Sequence, residues 1–216
     1  MKRIAVTSVL RAPVITTLVL VLSAAVHSQN AAYSQGLDEG IRLFRQGAYE
    51  DAVTVLGQVA REDPGDEEAA GYLGLALVET GRFEEAEPRI RSALGGPVGD
   101  DHLQVALARI RLEMQDTAAA LENLAAARQV DPDNLKVDYY EGIARLAQRD
   151  FLQAARLFER SIDLNPVWAM PHYYAGLAYN YLDDQSKMVD HFQMFLALDP
   201  NAPYADRVRS LLRNVS

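Results

Sequence analysis

The chain has 216 residues, of which 49% are hydrophobic and 24% are charged, and this ordinary composition is enough for one sizeable core. Its formal net charge is −9 at neutral pH, so nucleic acids and anionic membrane surfaces are unfavourable partners. The sequence contains no cysteine, which excludes disulfides, a thiolate nucleophile and lipid attachment through a thiol.

Residues 1–28 have the pattern of a secretory signal peptide. Their start is basic, and residues 14–26 form an apolar run of 13 residues, which is short for a membrane span. Small side chains at Val26 and Ser28 then suit cleavage before Gln29. The alternative is an uncleaved signal anchor. Because this segment holds three basic residues and no acidic one, its removal would take the net charge from −9 to −12.

From residue 33 onward the sequence repeats with a period of 34 residues, in units that begin near residues 33, 67, 101, 135 and 169. We number the positions of each unit from 1 to 34. A small residue recurs at position 8, namely Gly40, Gly74, Ala108, Gly142 and Gly176. A large apolar residue recurs at position 24, namely Leu56, Ile90, Leu124, Phe158 and Phe192. Proline recurs at position 32 of four units, as Pro64, Pro132, Pro166 and Pro200. A fixed period of this length is typical of stacked helix-turn-helix units, in which small residues let helices approach closely and proline ends a helix.

This pattern resembles the tetratricopeptide repeat (TPR) family, whose units also carry alanine at position 20. Four units conform, with Ala52, Ala86, Ala120 and Ala154, and the fifth departs with Met188. The large residue that the family has at position 4 is absent, since Gly36, Ala70, Gln104, Asp138 and His172 stand there. The resemblance covers residues 33–200 in constant register. It implies an all-α, right-handed helical solenoid of five 34-residue repeats within residues 29–216, closed by a capping helix at about 204–213.

The sequence predicts no catalytic, cofactor-binding or metal site. His172 and His191 fall on different helices of the fifth unit and match no metal-binding motif. Acidic clusters such as Asp131 and Asp133 lack the spacing of a calcium loop and stand where helix caps are needed. The glycines are isolated and form no phosphate-binding loop. We therefore expect a protein that is not an enzyme and needs no cofactor.

The resemblance also implies a partner-binding groove, because the first helices of such units line the concave side of the solenoid. The residues expected there in units three to five are Arg109, Lys136, Tyr139, Ile143, Met170, Tyr173, Leu177, Asn180 and Tyr181. Three of them, Tyr139, Tyr173 and Tyr181, are expected to form an aromatic stripe, since aromatic side chains dominate interface hot spots. The alternative is that several of these residues pack between units.

The expected function is an exported scaffold that mediates protein–protein interactions through this groove. The mature protein would be periplasmic in a diderm bacterium and secreted otherwise. Its partner would be another protein or a peptide segment, and neither nucleic acid nor, in the mature form, a membrane. Two alternatives are a self-assembling module, which would be a homo-oligomer, and an accessory subunit of an envelope enzyme or assembly machine.

Mass spectrometry of the protein recovered from its native source tests the signal peptide. We expect an N-terminus near Gln29, because cleavage follows the small residue Ser28. Recovery of intact Met1 in a membrane fraction would contradict this and favour the signal anchor.

Overall fold

The computed structural model describes residues 30–213, so the predicted signal peptide lies outside the described residues. Within this range the chain forms eleven α-helices and no strand. Helix α1 occupies residues 30–45, and the others are α2 (Tyr49–Glu62), α3 (Glu67–Glu79), α4 (Phe83–Ala93), α5 (Asp100–Glu113), α6 (Thr117–Val130), α7 (Leu135–Ala147), α8 (Phe151–Leu164), α9 (Ala169–Tyr181), α10 (Gln185–Leu198) and α11 (Ala205–Arg213). These helices make five successive pairs and one final helix, and the predicted all-α repeat fold is confirmed.

The turn inside every pair has the same backbone conformation. Position 15 of each unit has a φ between 57° and 77°, in the left-handed region that favours glycine. The first two units have glycine there, Gly47 and Gly81, whereas the last three have Gln115, Arg149 and Asp183. The repeat therefore fixes this conformation even where the local residue does not favour it.

The turns between pairs are built from proline and acidic or amide caps. Helices α2, α6, α8 and α10 each end one residue before the repeated proline. The next helix is then capped by a side chain that accepts a backbone hydrogen bond. Asp66 Oδ1 accepts from the Ala69 N–H at 2.8 Å, and Asn134 Oδ1 accepts from the Lys136 N–H at 3.0 Å. The helix-capping interpretation of these polar turns is therefore correct at both positions.

The two helices of a pair touch where the small residue at position 8 meets the large residue at position 24. A Cβ built on Gly40 would lie 2.5 Å from Leu56 Cγ, and one on Gly176 would lie 2.5 Å from Phe192 Cδ1. Such distances are far inside van der Waals contact. The pairs Gly74–Ile90 and Gly142–Phe158 give the same result at 2.6 Å. Each apolar partner is fully buried, so this contact lies at the centre of the core in each pair.

Polar side chains at position 4 of the last three units are buried and paired. Gln104 Oε1 accepts a hydrogen bond from Asn123 Nδ2 at 2.7 Å. Asp138 accepts from Arg128 Nη2 at 2.8 Å, and Arg160 Nε lies 2.9 Å from its other oxygen, within ion-pair distance. Burial raises the pKa of Asp138, although both arginines oppose this effect. These pairs satisfy the buried polar groups that stand where the family has a large side chain.

Helix α11 closes the C-terminal end of the array against its own chain. Its Ala205 and Val208 are buried, and the preceding Tyr204 stacks on Tyr173 with ring centroids 4.5 Å apart. Its register is that of a first helix one period after α9, so it continues the stack and covers the last pair. None of the helices in residues 30–213 is long and apolar enough to cross a membrane.

Replacing Gly176 by alanine tests the close contact. The added methyl group would overlap the Phe192 ring, so we expect a destabilisation of roughly 1–3 kcal/mol. Gly57→Ala is the matched control, because a Cβ there meets only Arg61 Nη1 at 3.8 Å and alanine favours a helix by about 1 kcal/mol over glycine. Urea unfolding followed by circular dichroism measures both. Equal stability of the two variants would contradict the contact.

Candidate functional site

The main cavity of the described residues is a cleft of about 680 Å³, which we call the first-helix cleft. Most of its lining comes from the first helices of units one to four, α1, α3, α5 and α7. Its apolar walls include Phe44, Leu75, Val78, Val105, Tyr140 and Trp168. A cleft of this size with mostly apolar walls is typical of sites that bind ligands or segments of other chains.

The lining residues recur at the positions that the resemblance implied for the groove. Lys136 stands at position 2, Val105 at position 5, Arg109 at position 9, Val78 at position 12 and Glu79 at position 13. These positions lie on one side of successive first helices. The position rule is therefore consistent with the cleft, although the cleft extends over units one to four rather than three to five.

A group of charged residues occupies the centre of the first-helix cleft and connects three helices. Arg109 Nη1 of α5 donates to Glu79 Oε2 of α3 at 2.7 Å. Lys136 Nζ of α7 lies 3.8 Å from the other Glu79 oxygen. Lys136 remains 54% exposed, so this second ion pair is weak. One carboxylate thus faces two cations, and neither cation is without a partner in the free protein.

The position of Glu79 is unfavourable except for this pairing. It is the last residue of α3, where the helix dipole favours a cation and disfavours a carboxylate. The corresponding end of α1 carries Arg45, whose Nη2 donates to the Tyr72 hydroxyl at 3.4 Å. The ion pairs with Arg109 and Lys136 offset the cost of an acid at this helix end.

Burial and mutual contacts shift the ionisation of the groups in the cleft. Burial raises the pKa of Tyr140 to about 12, and the nearby Arg109 guanidinium opposes this rise. Burial alone would lower the pKa of Arg109, but Tyr140 and Glu79 outweigh it and raise the pKa above its usual value. Arg109 therefore stays charged and Tyr140 stays protonated at neutral pH, so the cleft keeps a fixed cation beside a hydroxyl donor.

Two of the three predicted stripe tyrosines are buried. Tyr139 is only 7% exposed and packs against Trp168, with ring centroids 4.5 Å apart, and against Tyr174 at 5.7 Å. Tyr173 is 3% exposed beneath Tyr204. In this structure neither ring offers a surface to a partner, which corrects the expectation of an exposed stripe. The physical reason is that the turn before α9 and the segment before α11 both cover these rings.

The other predicted residues do not gather into one surface. Tyr181 is 60% exposed and stacks on Phe151 at 4.5 Å, and Asn180 beside it is exposed. Ile143, Met170 and Leu177 are half-buried and pack against the C-terminal core. Of the nine predicted residues, only Arg109 and Lys136 line the first-helix cleft. The predicted site thus divides between this cleft and the C-terminal units.

Sequence reasoning missed the residues that units one and two contribute to the cleft. Phe44, Val78 and Glu79 stand at positions 12 and 13, the same positions that were examined in later units. Applying the position rule to every unit would have found them. Trp168, at position 34, belongs to a turn and carried no such signal. In residues 30–213 no group of three or more histidine, aspartate or glutamate side chains is placed to hold a metal ion.

Comparison with family models gives two matches. A model described as "Tetratricopeptide repeat" matches residues 43–110, and a model described as "Protein kinase G tetratricopeptide repeat" matches residues 90–187. The two matches together extend from residue 43 to residue 187. A comparison with curated protein sequences finds no match.

Solved structures with a similar fold include three with different titles. "Crystal structure of MamA protein" is 18% identical, with 78% of this chain and 92% of that chain covered and a TM-score of 0.57. "Crystal structure of YrrB: a TPR protein with an unusual peptide-binding site" is 16% identical, with 87% and 97% covered and a TM-score of 0.58. "Crystal structure of APC/C hetero-tetramer Cut9-Hcn1" is 17% identical, with 85% and 36% covered and a TM-score of 0.73. At these identities the likeness shows the fold alone.

Alanine substitution separates the buried tyrosine from the exposed one. Tyr139→Ala should cost about 3–5 kcal/mol of unfolding free energy, because it removes a buried aromatic ring and leaves a cavity. Tyr181→Ala should cost no more than about 1.5 kcal/mol, since that ring loses mainly its stacking on Phe151. Urea titration of both variants is the measurement. A Tyr139→Ala protein as stable as the parent would mean that the ring is not part of the core.

Proposed function

We propose that this chain, which belongs to the tetratricopeptide repeat family, is an exported scaffold that holds a segment of a partner protein in the first-helix cleft. The observation that carries the proposal is the cleft itself, about 680 Å³ with apolar walls and a charged centre. Space of this size accommodates several side chains of a bound segment. The similar structure titled as having a peptide-binding site supports the same class of ligand.

The charges of the cleft favour a segment that carries one carboxylate among apolar residues. Arg45, Arg109 and Lys136 line the cleft, whereas the chain as a whole has a net charge of −9. A carboxylate of the partner would bind Arg109 and Lys136 in exchange for Glu79. Apolar side chains next to it would pack against the walls of the cleft. Charge complementarity of this kind contributes to specificity and to the rate of association.

The turn before α7 restricts how such a segment would lie. Asp131 and Asp133 of this turn also line the cleft. They would repel a second acidic residue placed beside them, because like charges across an interface oppose binding. The segment would therefore keep its carboxylate near Arg109 and present neutral or basic residues to the turn. This arrangement gives the partner a preferred register along the cleft.

The remaining parts of the proposal concern location and chemistry. The signal peptide of residues 1–28 would place the scaffold in the periplasm of a diderm bacterium or outside other cells. Holding a partner segment requires no catalytic group and no cofactor, and an accessory subunit of an envelope assembly would act in the same way. Self-assembly by exchange of the terminal helix is less favoured, because α11 buries Ala205 and Val208 in its own chain.

Photocrosslinking from within the cleft tests the proposal. We would place p-benzoylphenylalanine at Arg45, an exposed cleft residue, or at Ala125, an exposed residue of α6 outside the cleft, and irradiate the protein in its native source. We expect an adduct of one discrete mass from position 45 and none from position 125. Mass spectrometry of the adduct identifies the partner, and an adduct with a second copy of this chain would contradict the partner proposal and favour self-assembly.

A charge reversal in the cleft should weaken the adduct. Lys136→Glu should lower its yield on the order of tenfold, equivalent to about 1.4 kcal/mol, because it repels the partner carboxylate. Arg156→Glu is the matched control, with the same charge change at an exposed position of α8 outside the cleft. Equal loss in both variants would mean that only net charge matters and that the cleft is not the site. Circular dichroism confirms that both variants fold.

A further inference from the structure

We infer that His172 and His191 make the fifth helix pair an acid-sensitive joint of the solenoid. His172 stands on α9 and His191 on α10, and the two Nδ1 atoms are 3.2 Å apart. The second ring nitrogen of His172, Nε2, lies 3.4 Å from the Pro166 carbonyl oxygen in the turn before α9. The contact therefore connects both helices of the pair to the preceding turn. Neither histidine belongs to the first-helix cleft, so this inference is independent of the proposed function.

The positions of the hydrogens at this contact follow from the partners. A carbonyl oxygen can only accept a hydrogen bond, so His172 Nε2 carries the proton that is donated to Pro166. In a neutral imidazole the other nitrogen then accepts, which makes His172 Nδ1 the acceptor. His191 Nδ1 must donate its hydrogen to it. This arrangement requires both rings to be neutral.

An added proton disrupts the arrangement. Protonation of His172 would put an N–H on its Nδ1, directly opposite the N–H of His191, and the hydrogen bond would become a repulsive contact. Protonation of His191 at Nε2 would keep that bond but place a positive charge beside a buried ring. His172 is only 7% exposed, so water cannot easily solvate either charge.

The groups around the histidines have been taken into account from each packed element. Glu159 of α8 and Asp190 of α10 raise the pKa of His191, whereas Lys187 of α10 lowers it. The Tyr179 ring of α9 stacks on His191, and its hydroxyl donates to Glu159. Glu159 is also 3.4 Å from Lys187 Nζ, so part of its charge is already balanced. The carboxylates therefore do not outweigh the cost of burial.

Burial lowers the pKa of both histidines below the usual 6.5, and the neighbouring His172 lowers that of His191 further. A group whose pKa is lower in the folded state binds fewer protons there than in the open state. The stability of the pair is therefore complete above 6.5 and falls as the pH drops below that value. For each histidine held neutral, the opening equilibrium should rise on the order of tenfold per pH unit in this range.

The consequence is local, because the contact connects only the last pair and its preceding turn. Opening there would release α10, whose Met188, Phe192 and Phe195 are buried, together with the α11 helix that packs on it. Units one to four contain one further described histidine, His102, whose side chain is 65% exposed. Acid should therefore loosen the C-terminal end of the array while the first-helix cleft keeps its structure.

Hydrogen exchange measured by mass spectrometry tests this inference on the intact protein. Exchange would be followed at about pH 7.5 and about pH 5.5 and corrected for the intrinsic effect of pH. We expect peptides of α10 to open at least tenfold more at the lower pH, and peptides of α6 to stay unchanged. A uniform response in both helices would overturn the inference.

Variants assign the response to the histidine pair. His191→Gln retains an amide that can donate to His172 but cannot titrate, so it should remove a large part of the acid response of α10. His102→Gln is the matched control and should leave the response intact. NMR titration of the parent protein gives an independent readout that needs no variant. Imidazole signals of His172 and His191 that titrate at or above 6.5, or an acid response unchanged in His191→Gln, would overturn the inference.

Discussion

The close approach of the two helices in each pair is the constraint on which the rest of the structure depends. Four glycines at position 8 lie against Leu56, Ile90, Phe158 and Phe192, and a Cβ at any of them would overlap the partner side chain. Because every pair is held by the same contact, successive first helices repeat the same orientation along the chain. The inner surface of the array, including the first-helix cleft, is a consequence of this repetition.

Paired polar groups then distinguish one unit from the next within this common frame. Asp138 bonds to Arg128, whereas His172 at the same position of the next unit meets His191. The same principle acts in the cleft, where Glu79 joins Arg109. Each pair stabilises the free protein, and each must also be exchanged or broken when a partner binds or when the pH changes. Features that satisfy buried charge are therefore also the places where the array responds to its surroundings.

The candidate site could be predicted only in part. Arg109 and Lys136 were placed in the groove correctly, because position within the unit decides which side of a first helix a residue occupies. The same rule named Tyr139, but this ring is covered by Trp168, which comes from the next turn along the chain. Burial of a side chain depends on what packs over it from neighbouring units, and the position rule contains no information on that.

The sequence by itself determined the helix pairs, their turns and their closest contacts, because these depend on side-chain size and spacing within one unit of 34 residues. Position 8 next to position 24 is such a local relation. Only the tertiary structure decided which charges meet and which faces remain open. Glu79 and Lys136 are two units apart, and their approach depends on how successive pairs stack. The shared hydrogen of His172 and His191 likewise depends on packing, since only the distance between the two rings decides which nitrogen must accept.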